Sequence, residues 1–242
     1  LRVADAALLM VSAVGGIEVQ TEKMWKSAAD SNLPVLFAVN LMDRDRASFS
    51  RVVEALEKKY GREVTPLQLP IGEESDFHGV VDLVSGKAFT WEHDESGKAA
   101  EGEIPGDMAD DVASAREALM EMVAEQDEEL MEKYLEEGEL DAETFAGGLK
   151  KATTARELFP VFALAAAKNI GVQPLMDALV DLAPSPDWRP AKVTVDGEEQ
   201  EFVASSDSPF SAYVFKSISD PFAGHITLMR VFSGGVATDA TV

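Results

Sequence analysis

Two short runs, Ala6–Ser12 ("AALLMVS") and Pro34–Val39 ("PVLFAV"), are almost free of polar residues, and each is followed by a segment with helical spacing. Runs this short and this uniformly apolar suit strands covered on both faces, the environment of a parallel sheet with crossover helices. The first helix is expected over Thr21–Asn32, with Met24, Trp25 and Ala28 inward. The second spans Phe49–Tyr60 and is closed by Gly61. Val64–Leu69 reads as a third strand. Strand and helix alternating through short turns predict an α/β fold.

The alternation then breaks. Phe77–Lys98 has the pattern of short antiparallel strands, with turns at Ser85-Gly86 and Ser96-Gly97. Helices follow over Met108–Ala124, Glu128–Glu136 and Asp141–Ala155. From Phe159 the first pattern resumes, with a strand to Leu164, the loop "AAAKNIG" and a helix Val172–Leu182. An α/β domain over 1–68 and 157–187 is therefore interrupted by an α+β insertion over 69–156. The proline-punctuated linker Ala183–Pro190 leads to strands at Phe210–Ile218 and His225–Phe232. Two strands do not make a stable domain, so residues 188–242 read as the opening of an all-β domain.

Charge argues against one class of partner. The net charge is −23, and between Glu101 and Phe145 there are 17 acidic residues against two basic ones, Arg116 and Lys133. A surface that tracks nucleic-acid phosphates needs clustered Lys and Arg to displace counterions, and so acidic a balance speaks against one. The acidic insertion reads either as a solvated surface or as a dock for a basic protein. No apolar run approaches the roughly 20 residues that span a bilayer. The chain has no cysteine, so neither disulfides nor thiolate metal sites are possible, which fits a reducing compartment. His78, His93 and His225 share no metal-ligand spacing, and the acidic run lacks the spaced loop of a calcium site.

The stretch with specific chemistry is Asn40-Leu41-Met42-Asp43, at the end of the second strand. Ligands of open parallel sheets sit at the carboxyl ends of strands. A carboxylate there can accept from the N1–H and exocyclic amine of guanine, a donor pair adenine lacks. An asparagine can serve N7 and brace neighbouring loops.

Five segments together resemble bacterial translation elongation factor G: "LRVADAALLMVSAVGGIEVQTEKMWKSA", "PVLFAVNLMDRD", "PLQLPIGEESDFHGVVDLVSGKAFTW", "NIGVQPLMDALVDLAPSP" and "SAYVFKSISDPFAGHITLMRVFSG". The resemblance implies a partial P-loop GTPase domain with an inserted G′ subdomain and the opening strands of β-barrel domain II. It implies GTP/GDP as ligand, with Mg²⁺ ligands outside this chain, a monomer in the cytoplasm, and a role in ribosomal translocation. Asn40 and Asp43 match the Asn-Lys-x-Asp guanine motif. Leu164–Lys168 falls at the second guanine loop, with Ala166 at the alanine whose N–H faces guanine O6 and Lys168 at the rim. Two positions depart from the family: Leu41 stands for the motif's lysine, and Ala165 for a serine. No G-x-x-x-x-G-K-[ST] motif is present, so the chain by itself is expected not to hydrolyse GTP. The resemblance also implies two partners, the ribosome and, through the acidic insertion, its stalk protein. A ribosome-binding paralogue with a weakened nucleotide site, or a sibling translational GTPase such as a ribosome-protection protein, remain alternatives.

Overall fold

The computed structural model describes residues 1, 3–92, 97–195, 197–202 and 204–241; His93 and the Ser96 side of the expected Ser96-Gly97 turn lie outside them. The chain divides into two compact units, Ala6–Ala183 and a second made of Leu1–Asp5 with Pro184–Val242. No helix among the described residues is long and apolar enough to cross a membrane.

In the first unit the strands β1 (Ala7–Ser12), β2 (Val35–Asn40) and β3 (Val64–Pro66) alternate with helices α1 (Val19–Asp30) and α2 (Phe49–Tyr60). Strands β4 (Gln68–Ile71), β5 (Gly79–Asp82), β6 (Lys87–Trp91) and β7 (Ala99–Gly102) follow, then helices α3 (Ala109–Ala124), α4 (Glu128–Glu137) and α5 (Ala142–Ala155). The unit closes with β8 (Phe159–Ala163) and α6 (Val172–Leu182). The first sheet runs β1-β2-β8-β3 and is parallel throughout; the second runs β4-β5-β6-β7 and is antiparallel. The expected α/β class with an antiparallel element is therefore what the chain adopts.

Burial is complete along the second apolar run but alternates along the first, where Met10 of the edge strand β1 is 47% exposed against the expectation of two covered faces. Val35 through Val39 are all 0% exposed, as a strand flanked on both edges and covered on both faces must be. On one side Trp25 stacks with Tyr60 and Phe37 and meets Phe159 edge-on, while the Arg156 guanidinium lies over the Trp25 and Phe159 rings. A second apolar cluster joins Leu36, Ala38 and Phe162 to Val81 and Leu83 of the second sheet and to Leu119, Val123, Phe145 and Leu149 of the helices. The inserted elements thus share a core with the parallel sheet.

Local chemistry sets the helix ends. Ser48 caps α2 by accepting from the Arg51 N–H, and Asp127 and Asp141 cap α4 and α5 in the same way. Each of these stops an unpaired first-turn donor from being left bare. Both aspartates are also paired with lysines, Lys151 with Asp127 and Lys133 with Asp141.

Three sequence expectations need correction. Val64–Leu69 is not one strand: after Pro66 the chain leaves the parallel sheet at Leu67, and Gln68 already pairs with Asp82 in the second sheet. A period-2 apolar pattern cannot reveal which of two sheets a strand belongs to. The hairpin β9 (Ala191–Val195) with β10 (Glu198–Phe202) is absent from the sequence reading. Of the apolar positions Leu119, Met122, Leu130, Met131 and Leu135, which read from the sequence as core of the acidic helices, Leu135 is instead 75% exposed. In the second unit, β11 (Ser211–Asp220) and β12 (Gly224–Ser233) form the other antiparallel pair, and Arg230 ties β12 to Asp5 at 2.9 Å and to the Val3 carbonyl at 2.6 Å.

Two outcomes test this packing. Phe145→Ala deletes a ring that is 2% exposed, and we expect a loss of about 3–5 kcal/mol in chemical denaturation. The Lys151 and Lys133 ammoniums, together with the capped N–H groups, hold the Asp127 and Asp141 carboxyls below the usual range. Their contribution is full above the unfolded carboxylate value of about 3.9. It is lost as the pH falls from there through the depressed folded values. An Asp127→Ala/Asp141→Ala double variant should melt lower at pH 6 and show a flatter fall of melting temperature between pH 5 and pH 2.

Candidate functional site

The carboxyl ends of β2 and β8 lie side by side, because the two strands are paired in register from Phe37–Val161 to Val39–Ala163. The loop after β2 carries Asn40, Leu41, Met42 and Asp43; the loop after β8 carries Leu164 to Lys168. Backbone bonds lock the two together: Leu164 N–H donates to the Val39 carbonyl at 3.0 Å, and Met42 N–H to the Leu164 carbonyl at 3.2 Å. Met42 is 0% exposed and plugs the gap beneath them.

Side chains complete the junction. Asn40 Oδ1 accepts from the Ala166 N–H at 3.0 Å, across 126 positions of sequence. Lys168 Nζ stands 3.5 Å from Asp43 Oδ2, the carboxylate side chain being 7% exposed and the lysine 38%. Asn40, Asp43, Ala166 and Lys168, predicted from the sequence, are therefore brought together where the two loops meet. Leu41 sits beside them with its backbone in the left-handed region at φ +68°. A bulky residue without a polar side chain is uncommon there and costs about 1–2 kcal/mol, so the loop holds this turn against local preference.

The second loop is closed on itself. Ala165 N–H donates to the Ile170 carbonyl at 3.1 Å and Ile170 N–H returns to Ala165 at 3.2 Å. A single 3₁₀ turn, Ala166–Lys168, fills the space between. Gly171 makes the exit: at φ +78° a Cβ there would lie 2.5 Å from the Ala163 carbonyl oxygen. Ala165, 1% exposed, is spent on this closure. With Ala165 and Ala166 both donating inside the protein, Ala167 is the loop residue whose N–H has no partner among the described residues. An unpaired donor at the start of a 3₁₀ turn is a point where an acceptor can dock. Sequence reasoning singled out Ala166 and had no means of seeing that Asn40 already occupies its N–H.

Around this junction the packing is also specific. The Arg51 guanidinium donates to the carbonyls of Ala13 (2.9 Å), Val14 (3.1 Å) and Arg46 (3.2 Å), tying the loop after β1 to the loop after β2. A cavity of about 440 Å³ runs along the outer edge of β1 to these loops, lined in part by Ser12, Gly16, Glu18, Asn40 and Leu41. Only its end at Ser12, Asn40 and Leu41 reaches the carboxyl ends of the strands, where ligands of open parallel sheets bind. Among the described residues no group of three or more His, Asp or Glu side chains is placed to hold a metal ion. His78 is engaged locally, its Nδ1 lying 2.6 Å from the Asp76 carbonyl.

Comparison with known proteins shows the family and the fold. The family model of the elongation factor Tu GTP-binding domain matches residues 1–185. A crystal structure of a Thermus thermophilus protein superposes with a TM-score of 0.81 at 32% identity, over 96% of this chain and 32% of that one. The chain thus spans about a third of the length of that Thermus protein.

Asn40→Ala should leave the Ala166 N–H without its acceptor. We expect a loss of about 1 kcal/mol in denaturation, with faster amide exchange at Ala166 and Lys168 while β2 and β8 stay protected.

Proposed function

The chain belongs to the family of the elongation factor Tu GTP-binding domain, and from that premise we propose that its paired loops read guanine in a ribosomal translocase of the elongation factor G type. One observation carries the assignment: the bond from Ala166 N–H to Asn40 Oδ1 brings a guanine-type Asn-x-x-Asp loop against a second loop with an open donor. In this reading Asp43 accepts from the base N1–H and exocyclic amine. The open N–H at Ala167 faces O6, Asn40 braces the two loops through the Ala166 N–H, and Lys168 flanks the base from the rim. Adenine would leave the Asp43 carboxylate facing an acceptor, and unpaired buried polar groups are what make such rejection strong.

Leu41 lies where the family carries a lysine. Its side chain keeps apolar contact with base and ribose but supplies no ammonium. Loss of a charge-assisted hydrogen bond costs about 1.5–3 kcal/mol, or roughly ten- to hundredfold in affinity. That single residue is also what favours the second reading, a ribosome-binding paralogue with a weakened nucleotide site.

The acidic insertion supports a protein partner, and we assign it to the basic face of a ribosomal stalk protein. A cavity of about 670 Å³ along α4 is lined by Glu125, Glu128, Glu132 and Glu136 around Met131 and the exposed Leu135. An apolar strip walled by carboxylates suits a basic amphipathic surface, whose encounter would be fast and salt-sensitive. Monomeric action in the cytoplasm belongs to the same reading.

The decisive experiment is a specificity switch in the full-length protein. Asn in place of Asp43 presents an amide donor to position 2 of the base, which suits the 2-oxo group of xanthine and not the 2-amine of guanine. Asp43→Asn should therefore lose GDP binding and gain XDP binding, by titration calorimetry. A variant that binds neither or still prefers GDP would refute the assignment. Leu41→Lys, titrated beside the parent chain, should tighten GDP by about tenfold or more; equal binding by both would remove the weakened-site reading.

A further inference from the structure

The second sheet begins where the first releases the chain. β3 ends at Pro66, and Leu67 still donates its N–H to the Val161 carbonyl of β8 at 3.0 Å, as a parallel ladder requires. The next rung would give the Leu67 carbonyl to the Ala163 N–H. Instead that carbonyl accepts from Leu83 N–H at 2.9 Å, inside the second sheet. The vacated rung is filled by a side chain: Gln68 Oε1 accepts from the Ala163 N–H at 3.4 Å.

Gln68 is 0% exposed, and its Nε2 has no partner among the described residues. A buried amide with an unpaired donor destabilises the fold relative to an apolar side chain of similar volume. What an apolar residue could not supply is the acceptor for Ala163, the last strand residue before the loop Leu164–Lys168. A second arm from the same root reaches the other loop, where Glu74 Oε1 accepts from the Arg46 N–H at 2.7 Å.

We propose that Gln68 is a positioning residue for the second guanine loop: by holding Ala163 it sets where the Ala166 and Ala167 N–H groups stand relative to Asn40 and to O6 of the base. The inference rests on the guanine reading of this site. It adds that the inserted sheet, through its first residue, is part of what fixes base selectivity.

The test separates position from stability by changing the ligand as well as the protein. Gln68→Met keeps volume and removes the acceptor; Gln68→Asn keeps an amide but withdraws it by one methylene, out of reach of Ala163. Affinities for GDP and for 6-thioguanosine diphosphate, which has a weakly accepting sulfur in place of O6 and keeps the N1–H and 2-amine that face Asp43, would be measured in the full-length protein, with melting temperatures alongside. Both variants should weaken GDP by about tenfold, the scale of one hydrogen bond, and the O6-less nucleotide by about twofold or less. Equal losses for the two nucleotides, or no loss of GDP affinity, would overturn the proposal. Should Gln68→Met fail to fold, Gln68→Asn carries the same comparison. A parent protein with no preference for GDP over ADP would instead refute the guanine reading itself, and this inference with it.

Discussion

Everything that brings the site together depends on one act of backbone pairing, the entry of β8 between β2 and β3. A central parallel strand must satisfy donors and acceptors on both edges, and β8 does so with partners that precede it by about a hundred positions. Without it β2 would keep one open edge, β3 would have no neighbour, and the loop after β8 would have no fixed relation to Asn40. The guanine-type loop is local in sequence, but its partner loop is not. Pairing in the sheet converts that distance into a contact of 3.0 Å between Asn40 and Ala166.

The same event explains why an insertion of this size is tolerated. The second sheet and the helices α3 to α5 leave the parallel sheet at Leu67 and return at Phe159, and their apolar side chains merge with the core under β2 and β8. They are not an appendage on a flexible stalk. Their outer surface carries most of the negative charge of the chain, and it is steadied by aspartate caps and the lysines paired with them. A solvated, acidic exterior and an apolar underside let one segment face water on one side and wall the parallel sheet on the other.

Much of this was legible in the residues. The apolar runs at Ala6–Ser12 and Pro34–Val39 marked two strands, but only the second is covered on both faces, Met10 in β1 being 47% exposed at the sheet edge; the carboxyl end of the second carried Asn40 and Asp43 in Asn-x-x-Asp spacing. What could not be read was anything set by a neighbour distant in sequence. Val64–Leu69 has one continuous pattern but serves two sheets, because the choice is made by Leu83 and Val161. Ala166 was singled out from its place in the loop, but the side chain of Asn40 occupies its N–H and leaves Ala167 open. Gln68 passed as an ordinary strand residue in "PLQLP", since nothing local says that a rung is missing opposite Ala163. The β9–β10 hairpin was passed over because "GEEQEF" is too charged to resemble a strand, although "DG" before it is a strong turn dipeptide.

The strand order also fixes when the site can exist during synthesis. Asn40 and Ala166 are separated by 126 positions, and at about 5–20 residues per second a ribosome needs roughly 6–25 s to cover them. For that interval β2 has no partner on the side β8 will take, while its five fully buried residues are the most apolar stretch of the sheet. The nascent chain therefore carries an open, adhesive edge for many seconds. The intervening acidic helices emerge during that wait, so the chain gains most of its negative charge before the edge is filled.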